Sequence, residues 1–314
     1  MKSMCAPVAV FVYNRPEHTN RIINALNVSA LAPETDLFIF CDYFKNEGSR
    51  ENVLKTREIV DSFSKTCRFH KVDIRKADHN KGLARSIIDG VSELMNQYGK
   101  SIVVEDDILV SIHFLEYMNA ALDYYQQVKT VWSISGYSFP MKSLNDYPHD
   151  VYMSGRGCCW GWASWNDRWE KVDWNVPDYE SFKHDRIQRH SFAKWGPDLP
   201  LMLDAQMKMN LNSWAIRWCY YEFRNGMMTV YPKLSYVKNI GNDGSGTHKS
   251  TFEKKFNTDL EEEEQFHCTF EILPYNERIR REFRKKYRTG GVLAFCKAKL
   301  KFFLIKLGFY KASH

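Results

Sequence analysis

A chain of 314 residues, 44% of them hydrophobic and 26% charged, has ordinary globular composition and the length of one large domain or two small ones. It holds no run of about 18 or more apolar residues, which excludes a membrane-spanning helix. The net charge of +6 is uneven: Tyr275 to His314 carries twelve Lys or Arg against two Glu, a net +10, which leaves the preceding 274 residues at −4. Such asymmetry points to an anionic partner for the tail, membrane surface or nucleic acid.

Nine Trp and seventeen Tyr suit either a large core or a platform for flat, hydroxylated ligands such as sugars. The eight Cys form no CxxC pair and no zinc spacing, which points to a reduced, cytoplasmic protein. Met1 to Ala6 is too short for a signal peptide.

Val8 to Tyr13 is a continuous β-branched and aromatic run, as in a strand buried on both faces. Asn14 then reads as an N-cap and Pro16 as part of a first helical turn, with Ile22, Ile23 and Leu26 forming the apolar stripe. Leu37 to Cys41 reads as a second strand, ending at Asp42. Val53, Leu54, Val60 and Phe63 mark a second helix, and Arg68 to Ile74 a third strand. After the turn His79-Asn80-Lys81-Gly82, the residues Ile87, Ile88, Val91, Leu94 and Met95 share one helical face.

Ser101 to Val104 is a fourth strand, followed at once by Glu105, Asp106 and Asp107. Phe114, Leu115, Met118, Ala121, Leu122 and Tyr125 mark another helix. Four strand–helix alternations in about 125 residues predict βαβ units and a mainly parallel sheet. Ligands of such sheets bind outside the carboxyl ends of the strands. Arg15, Asp42, His79, Lys81 and the three acids all follow predicted strands and are expected to converge on one edge.

The second half is less regular. Val131 to Ser135 is one more strand, and residues 158–174 are dense in Trp; most belong to packing, with Trp160 and Trp162 taken as candidates for stacking on sugar rings. Gly241 to His248 has the composition of a flexible loop, either a mobile lid or a surface turn. Arg278 to Arg288 is a basic, helix-compatible run. Val292 to Leu307 interleaves large apolar residues with Lys297, Lys299, Lys301 and Lys306, and the concentration of basic charge favours peripheral contact with an anionic membrane.

Crowded carboxylates near a core repel one another and lose hydration, so a cation is expected among them. A hard divalent ion, Mn2+ or Mg2+, bound through oxygen would neutralise a leaving diphosphate. Arg15, Lys81 and Arg85 suit phosphate, and Asp42, a pure acceptor when ionised, suits a base or ribose edge. No Walker loop or GxGxxG is present, which disfavours P-loop and dinucleotide mechanisms.

Taken together, the YNRP ending the first strand, the CD ending the second, HNKGLARSIIDGV and VVEDDILVSIHFLEYM resemble a glycosyltransferase of GT-A fold. The order and spacing are most similar to the N-acetylglucosaminyltransferase I group and to bacterial cell-surface polysaccharide glycosyltransferases, over about residues 7 to 250. The resemblance implies an α/β fold with a Rossmann-like, mainly parallel sheet. Residues 1–274 would be the catalytic domain, with 1–110 binding the nucleotide-sugar and 111–274 the acceptor; 275–314, outside the resemblance, reads as a basic amphipathic helical tail. EDD would be the metal-binding motif, with Asp107 the direct ligand and Glu105 and Asp106 supporting it or touching the donor sugar.

Arg15 and Asp42 would bind the nucleotide, His79 would lie near the base, and His248 would belong to the segment closing over the donor. Asp204 in LMLDAQM best matches the family's catalytic base, with Asp198 and Asp173 as rivals. The implied reaction moves a sugar, hexosyl or N-acetylhexosaminyl, from a nucleoside diphosphate-sugar, UDP-linked by preference, to a glycan or lipid-linked acceptor, with inversion, at the inner membrane face in lipopolysaccharide or capsule synthesis. Two other classes compete. A sugar nucleotidyltransferase usually shows a Gly-rich loop after its first strand, which YNRPEHTN lacks, and a non-catalytic carbohydrate-binding or scaffold protein would not need the EDD. Nucleic-acid binding by the tail is the remaining alternative to membrane contact.

Overall fold

A computed structural model describes residues 5–241 and 255–288. The chain forms strand β1 (Val8–Val12), helix α1 (Pro16–Asn27), β2 (Asp36–Cys41), α2 (Glu47–Phe63), β3 (Lys71–Lys76), α3 (Leu83–Tyr98), β4 (Lys100–Glu105), β5 (Ile108–Val110), α4 (Phe114–Tyr125) and β6 (Val131–Ser135). There follow β7 (Val151–Ser154), β8 (Trp162–Trp165), α5 (Asn166–Trp169), α6 (Tyr179–His184), α7 (Arg186–Phe192), α8 (Leu199–Met207), α9 (Trp214–Arg224), β9 (Met228–Pro232), β10 (Val237–Asn239) and α10 (Glu277–Lys286).

Eight strands make one sheet in the order β3-β2-β1-β4-β8-β6-β9-β7, and β5 pairs with β10 in a separate two-stranded ribbon. Strands β3, β2, β1 and β4 are mutually parallel, as the four βα alternations require. Beyond β4 the sheet is mixed: β8 runs antiparallel to β4 and β6, β6 and β9 are parallel, and β7 is an antiparallel edge.

The continuous apolar run of β1 has a simple cause. Val8, Val10 and Val12 face one core, with Leu37, Ile39, Ile102 and Val104 and the stripes of α1 and α4. Ala9 and Phe11 face the other, against Ile87, Val91, Leu94 and Met95 of α3 and the indoles of Trp132, Trp162 and Trp218. A strand covered on both faces has no reason to alternate. The β3 edge alternates charge instead, and only its middle is half-buried.

Two boundaries differ from the sequence reading. The residue capping α1 is Arg15 rather than Asn14, with Pro16 at the first helical position; the Arg15 side chain makes no cap bond because it turns to Asp107. The third strand starts at Lys71, since His70 N–H donates to Thr35 O in the connection before it. Leu54, one of the residues that mark α2, is 45% exposed. In the basic run, α10 buries Ile279 and Phe283 in the main core, so over 277–286 it packs on the domain.

Candidate active site

Strand β4 ends at Glu105, which lies in register with Phe11 of β1. The chain then turns through Asp106 and Asp107 into β5. Asp106 Oδ2 accepts from Tyr13 N–H at 3.2 Å, and Arg15 Nη1 lies 2.9 Å from Asp107 Oδ2 and 3.5 Å from Asp106 Oδ1. These three side chains are only 14–21% exposed. Burial raises the Glu105 carboxyl well above the carboxylate range, with Asp107 and Asp106 adding repulsion and Arg15 opposing. Burial likewise pushes Asp106 up to about 6, against the pull of Arg15. The cluster thus carries more negative charge than its guanidinium comfortably neutralises.

A stretch distant in sequence roofs it. Pairing of β10 with β5 brings Ile240 N–H onto Asp107 O at 2.8 Å and Ile240 O to within 3.2 Å of His18 Nε2. Gly241 follows so closely that a Cβ there would lie 2.5 Å from Asp107 Oδ2 and 3.1 Å from Arg15 Nη1. His18 was not expected at this point, and Gly241 only as the start of a loop closing over the donor; the signal that places them is strand pairing, which a local pattern does not carry.

Asp42 follows β2 at the same edge and is 9% exposed. Its Oδ1 accepts from Tyr43 N–H at 2.8 Å and Lys81 N–H at 2.9 Å. Its Oδ2 accepts from Gly82 N–H at 2.9 Å and Asn80 Nδ2 at 3.1 Å. A carboxylate has about four lone-pair sites, so Asp42 is saturated. In this arrangement it clasps the turn before α3, which competes with the expected contact to a base or ribose edge. His79 in that turn is 72% exposed and bonded to Asp78. Lys81 lies 3.7 Å from Asp89. Arg85 bonds the same Asp89 and is 71% exposed; its side of α3 lines a groove of about 790 Å³ with Asp173, Trp174 and Arg217, not the acidic edge.

In the second half, Trp162 is fully buried and stacks on Trp169 and Trp214 at 5.7 and 5.2 Å, so it offers no face to a sugar; the expectation that it does is corrected. Trp160 is half-buried and lines a separate cavity.

Asp204 is bidentate to Arg189, both contacts 2.8 Å, and accepts from Tyr179 Oη at 3.1 Å. Burial raises its pKa, but the bonds and charge of Arg189 outweigh this and hold it below the usual range. A carboxylate so held is a weak base, so the Arg189 pair opposes the base role expected of Asp204. Its rival Asp198 is equally bidentate to Arg156, both at 2.9 Å. Asp173 is exposed in the Arg85 groove. His248, and the proposed lid beyond Gly241, lie outside the described residues, as does Val292 to Leu307.

Among the described residues no group of three or more His, Cys, Asp or Glu is placed to hold a metal ion by itself. Magnesium-type ions at diphosphate sites are held by one or two carboxylates, completed by phosphate and water. Asp107, with Glu105 and Asp106 beside it, supplies hard oxygens and surplus negative charge, and so fits an ion shared with a diphosphate rather than one held by protein alone.

No protein-family model matches the chain, and no curated protein matches it. Solved structures that it is similar to include residues 1–349 of S. aureus TarS (12% identity, 76% of this chain and 61% of that one, TM-score 0.42). A second TarS structure matches over 76% of this chain and 37% of that one, at 12% identity and TM-score 0.42. GalNAc-T7, solved with UDP, GalNAc and Mn2+, matches at 12% identity over 74% of this chain and 42% of that one, with TM-score 0.43. The chain thus spans less than two thirds of each. At TM-scores below 0.5 the functional reading rests on the site itself.

Proposed function

We propose that this chain is a metal-dependent glycosyltransferase of GT-A type that moves a sugar from a nucleoside diphosphate-sugar, UDP-linked by preference, to a glycan or lipid-linked acceptor in surface polysaccharide synthesis. The observation that carries the reading is the convergence of strand ends: Arg15 after β1 and Asp106 and Asp107 after β4 meet within 2.9–3.5 Å, beside the Asp42-clasped turn that follows β3. The carboxyl edge of parallel strands is where such folds bind ligands.

Asp107 would hold the metal, with Glu105 and Asp106 beside it; bound there, a divalent ion would neutralise the departing diphosphate. Arg15 is placed to exchange a carboxylate for a phosphate oxygen, since a guanidinium matches both. Asp42 sets the Asn80–Gly82 turn as a wall for the nucleoside. Residues 239–241 exclude water from above the cluster.

No described helix is long and apolar enough to cross a membrane. Arg278, Arg281 and Lys285 are exposed on α10, opposite buried Ile279 and Phe283, and exposed Arg288 follows. This face supports the reading of peripheral attachment to the inner, anionic membrane surface.

The test is a panel of UDP-sugars with and without Mn2+, read as UDP release. Manganese-dependent release by the wild type, lost at least 100-fold in Asp107→Asn, is the expected result. Full activity in Asp107→Asn would remove the metal assignment. Neither release nor donor binding by the wild type would favour the non-catalytic carbohydrate-binding alternative.

A further inference from the structure

His18 lies three residues beyond Arg15, in the first turn of α1, and is 7% exposed. Its Nε2 is 3.2 Å from the carbonyl oxygen of Ile240, 222 residues away in the chain. A carbonyl oxygen can only accept, so Nε2 carries the proton in this bond.

The Ile240 carbonyl belongs to the peptide that joins Ile240 to Gly241. The N–H of that same peptide, on Gly241, donates to Asn239 Oδ1 at 2.9 Å. One peptide plane is therefore held at both of its polar ends, by a side chain of α1 and by a side chain of β10. The preceding peptide is held as well, since Ile240 N–H donates to Asp107 O at 2.8 Å. Two successive peptide groups thus have fixed directions where the roof meets the acidic turn.

Their direction matters for two reasons. The first is space: a Cβ on Gly241 would fall 2.9 Å from Asp107 Cβ as well as 2.5 Å from its Oδ2. Rotating the peptide moves this backbone into the carboxylate or away from it. The second is charge. A carbonyl oxygen is the negative end of the peptide dipole. Facing the carboxylates, it would add repulsion where burial has already pushed Asp106 up to about 6. The bond to His18 turns that oxygen onto α1 instead.

We propose that His18 is a positioning residue: its Nε2–H orients the Ile240–Gly241 peptide, with Asn239 at the other end, and so sets the fit of the roof over Asp107. The use of that fit rests on the metal–diphosphate reading. The bond itself does not, and the two are tested apart.

Ring 15N shifts of His18 in the unliganded chain at pH 8 need no variant. A protonated Nε2 is expected; a ring bare at Nε2 overturns the proposal, because it cannot donate to a carbonyl. Amide exchange reports the local opening. In His18→Leu, exchange at Ile240 and Gly241 is expected to rise at least tenfold, with Val10 of β1 and Val104 of β4 within twofold of wild type. Glutamine carries an N–H donor at the reach of Nε2, so His18→Gln is expected to stay within threefold of wild type. Unchanged exchange in His18→Leu, an equal rise throughout β1 and β4, or no rescue by glutamine overturns the proposal. The ring shifts decide alone should His18→Leu not fold.

Calorimetry of UDP with Mn2+ then tests the use of the fit. His18→Leu is expected to weaken binding at least tenfold and His18→Gln less than threefold. Wild-type UDP affinity in a His18→Leu chain whose exchange has risen overturns the positioning role. Failure of the wild type to bind UDP with metal counts against the glycosyltransferase reading, and leaves ring shifts and exchange to decide the orientation of the peptide.

Discussion

Replacing Asp42 with Asn tests whether this residue clasps the chain or touches the ligand. The wild-type carboxylate accepts four hydrogen bonds, from the N–H groups of Tyr43, Lys81 and Gly82 and from Asn80 Nδ2. An amide offers one acceptor oxygen and sets an NH2 against two donors, so at least two bonds are lost. Hydrogen bonds to a charged group are worth about 1.5–3 kcal/mol each, and the position is nearly buried, so a loss of about 3–5 kcal/mol is expected. For a chain of this size that lowers Tm by roughly 6–10 °C, taking about 2 °C per kcal/mol. Urea unfolding gives the stability change, and amide exchange of residues 76–86 is expected to rise as the turn before α3 loosens. UDP affinity is expected to fall with it, through loss of positioning. A folded Asp42→Asn with wild-type stability and wild-type exchange, yet weaker UDP binding, would refute the saturation argument and make Asp42 a direct contact.

Other expectations follow from the same geometry. Gly241→Ala places a Cβ 2.5 Å from Asp107 Oδ2; UDP binding with Mn2+ is expected to weaken at least tenfold, measured by calorimetry. Asp204→Asn is expected to leave turnover within threefold but cost about 1–2 kcal/mol by removing a bidentate, half-buried pair. Since the Asp204 pKa is depressed in the folded chain, that stability is present above the ordinary carboxylate pKa and lost as pH falls through the folded value, so urea titrations at pH 7 and pH 3 are expected to show the variant and wild type converging in acid. Glu222 has the opposite sign. Burial pushes it up to about 8 from 4.5, so between these values the unfolded chain is ionised while the folded one holds its proton. Stability falls by about 1.4 kcal/mol per pH unit there and then levels off. Glu222→Gln is expected to flatten that slope in urea titrations from pH 5 to 8.

Much of the first half could be read from residue order. Strands β1, β2 and β4 showed as runs too apolar for one-sided burial, and α3 showed as a stripe, because each pattern is a local record of what covers the element. The position of Glu105 to Asp107 after a strand then implied the carboxyl edge. Roles within the site were less legible. Asp42 has the chemistry of a ligand-reading acceptor, but four nearby donors use it up, three of them about 40 residues on in the chain. Asp204 has the chemistry of a base, but Arg189 occupies both its oxygens. Trp162 has the chemistry of a sugar platform, but it sits where β8 passes between two cores.

The sequence alone determined the alternation of strands and helices, the parallel first half of the sheet and the edge where the acids gather, since hydrophobic period and connection chirality are encoded within short spans. Tertiary structure alone decided which polar groups are left free to act. Hydrogen bonds and ion pairs saturate, and saturation depends on partners brought in from tens to hundreds of residues away: Lys81 and Gly82 onto Asp42, Ile240 onto Asp107, Arg189 onto Asp204.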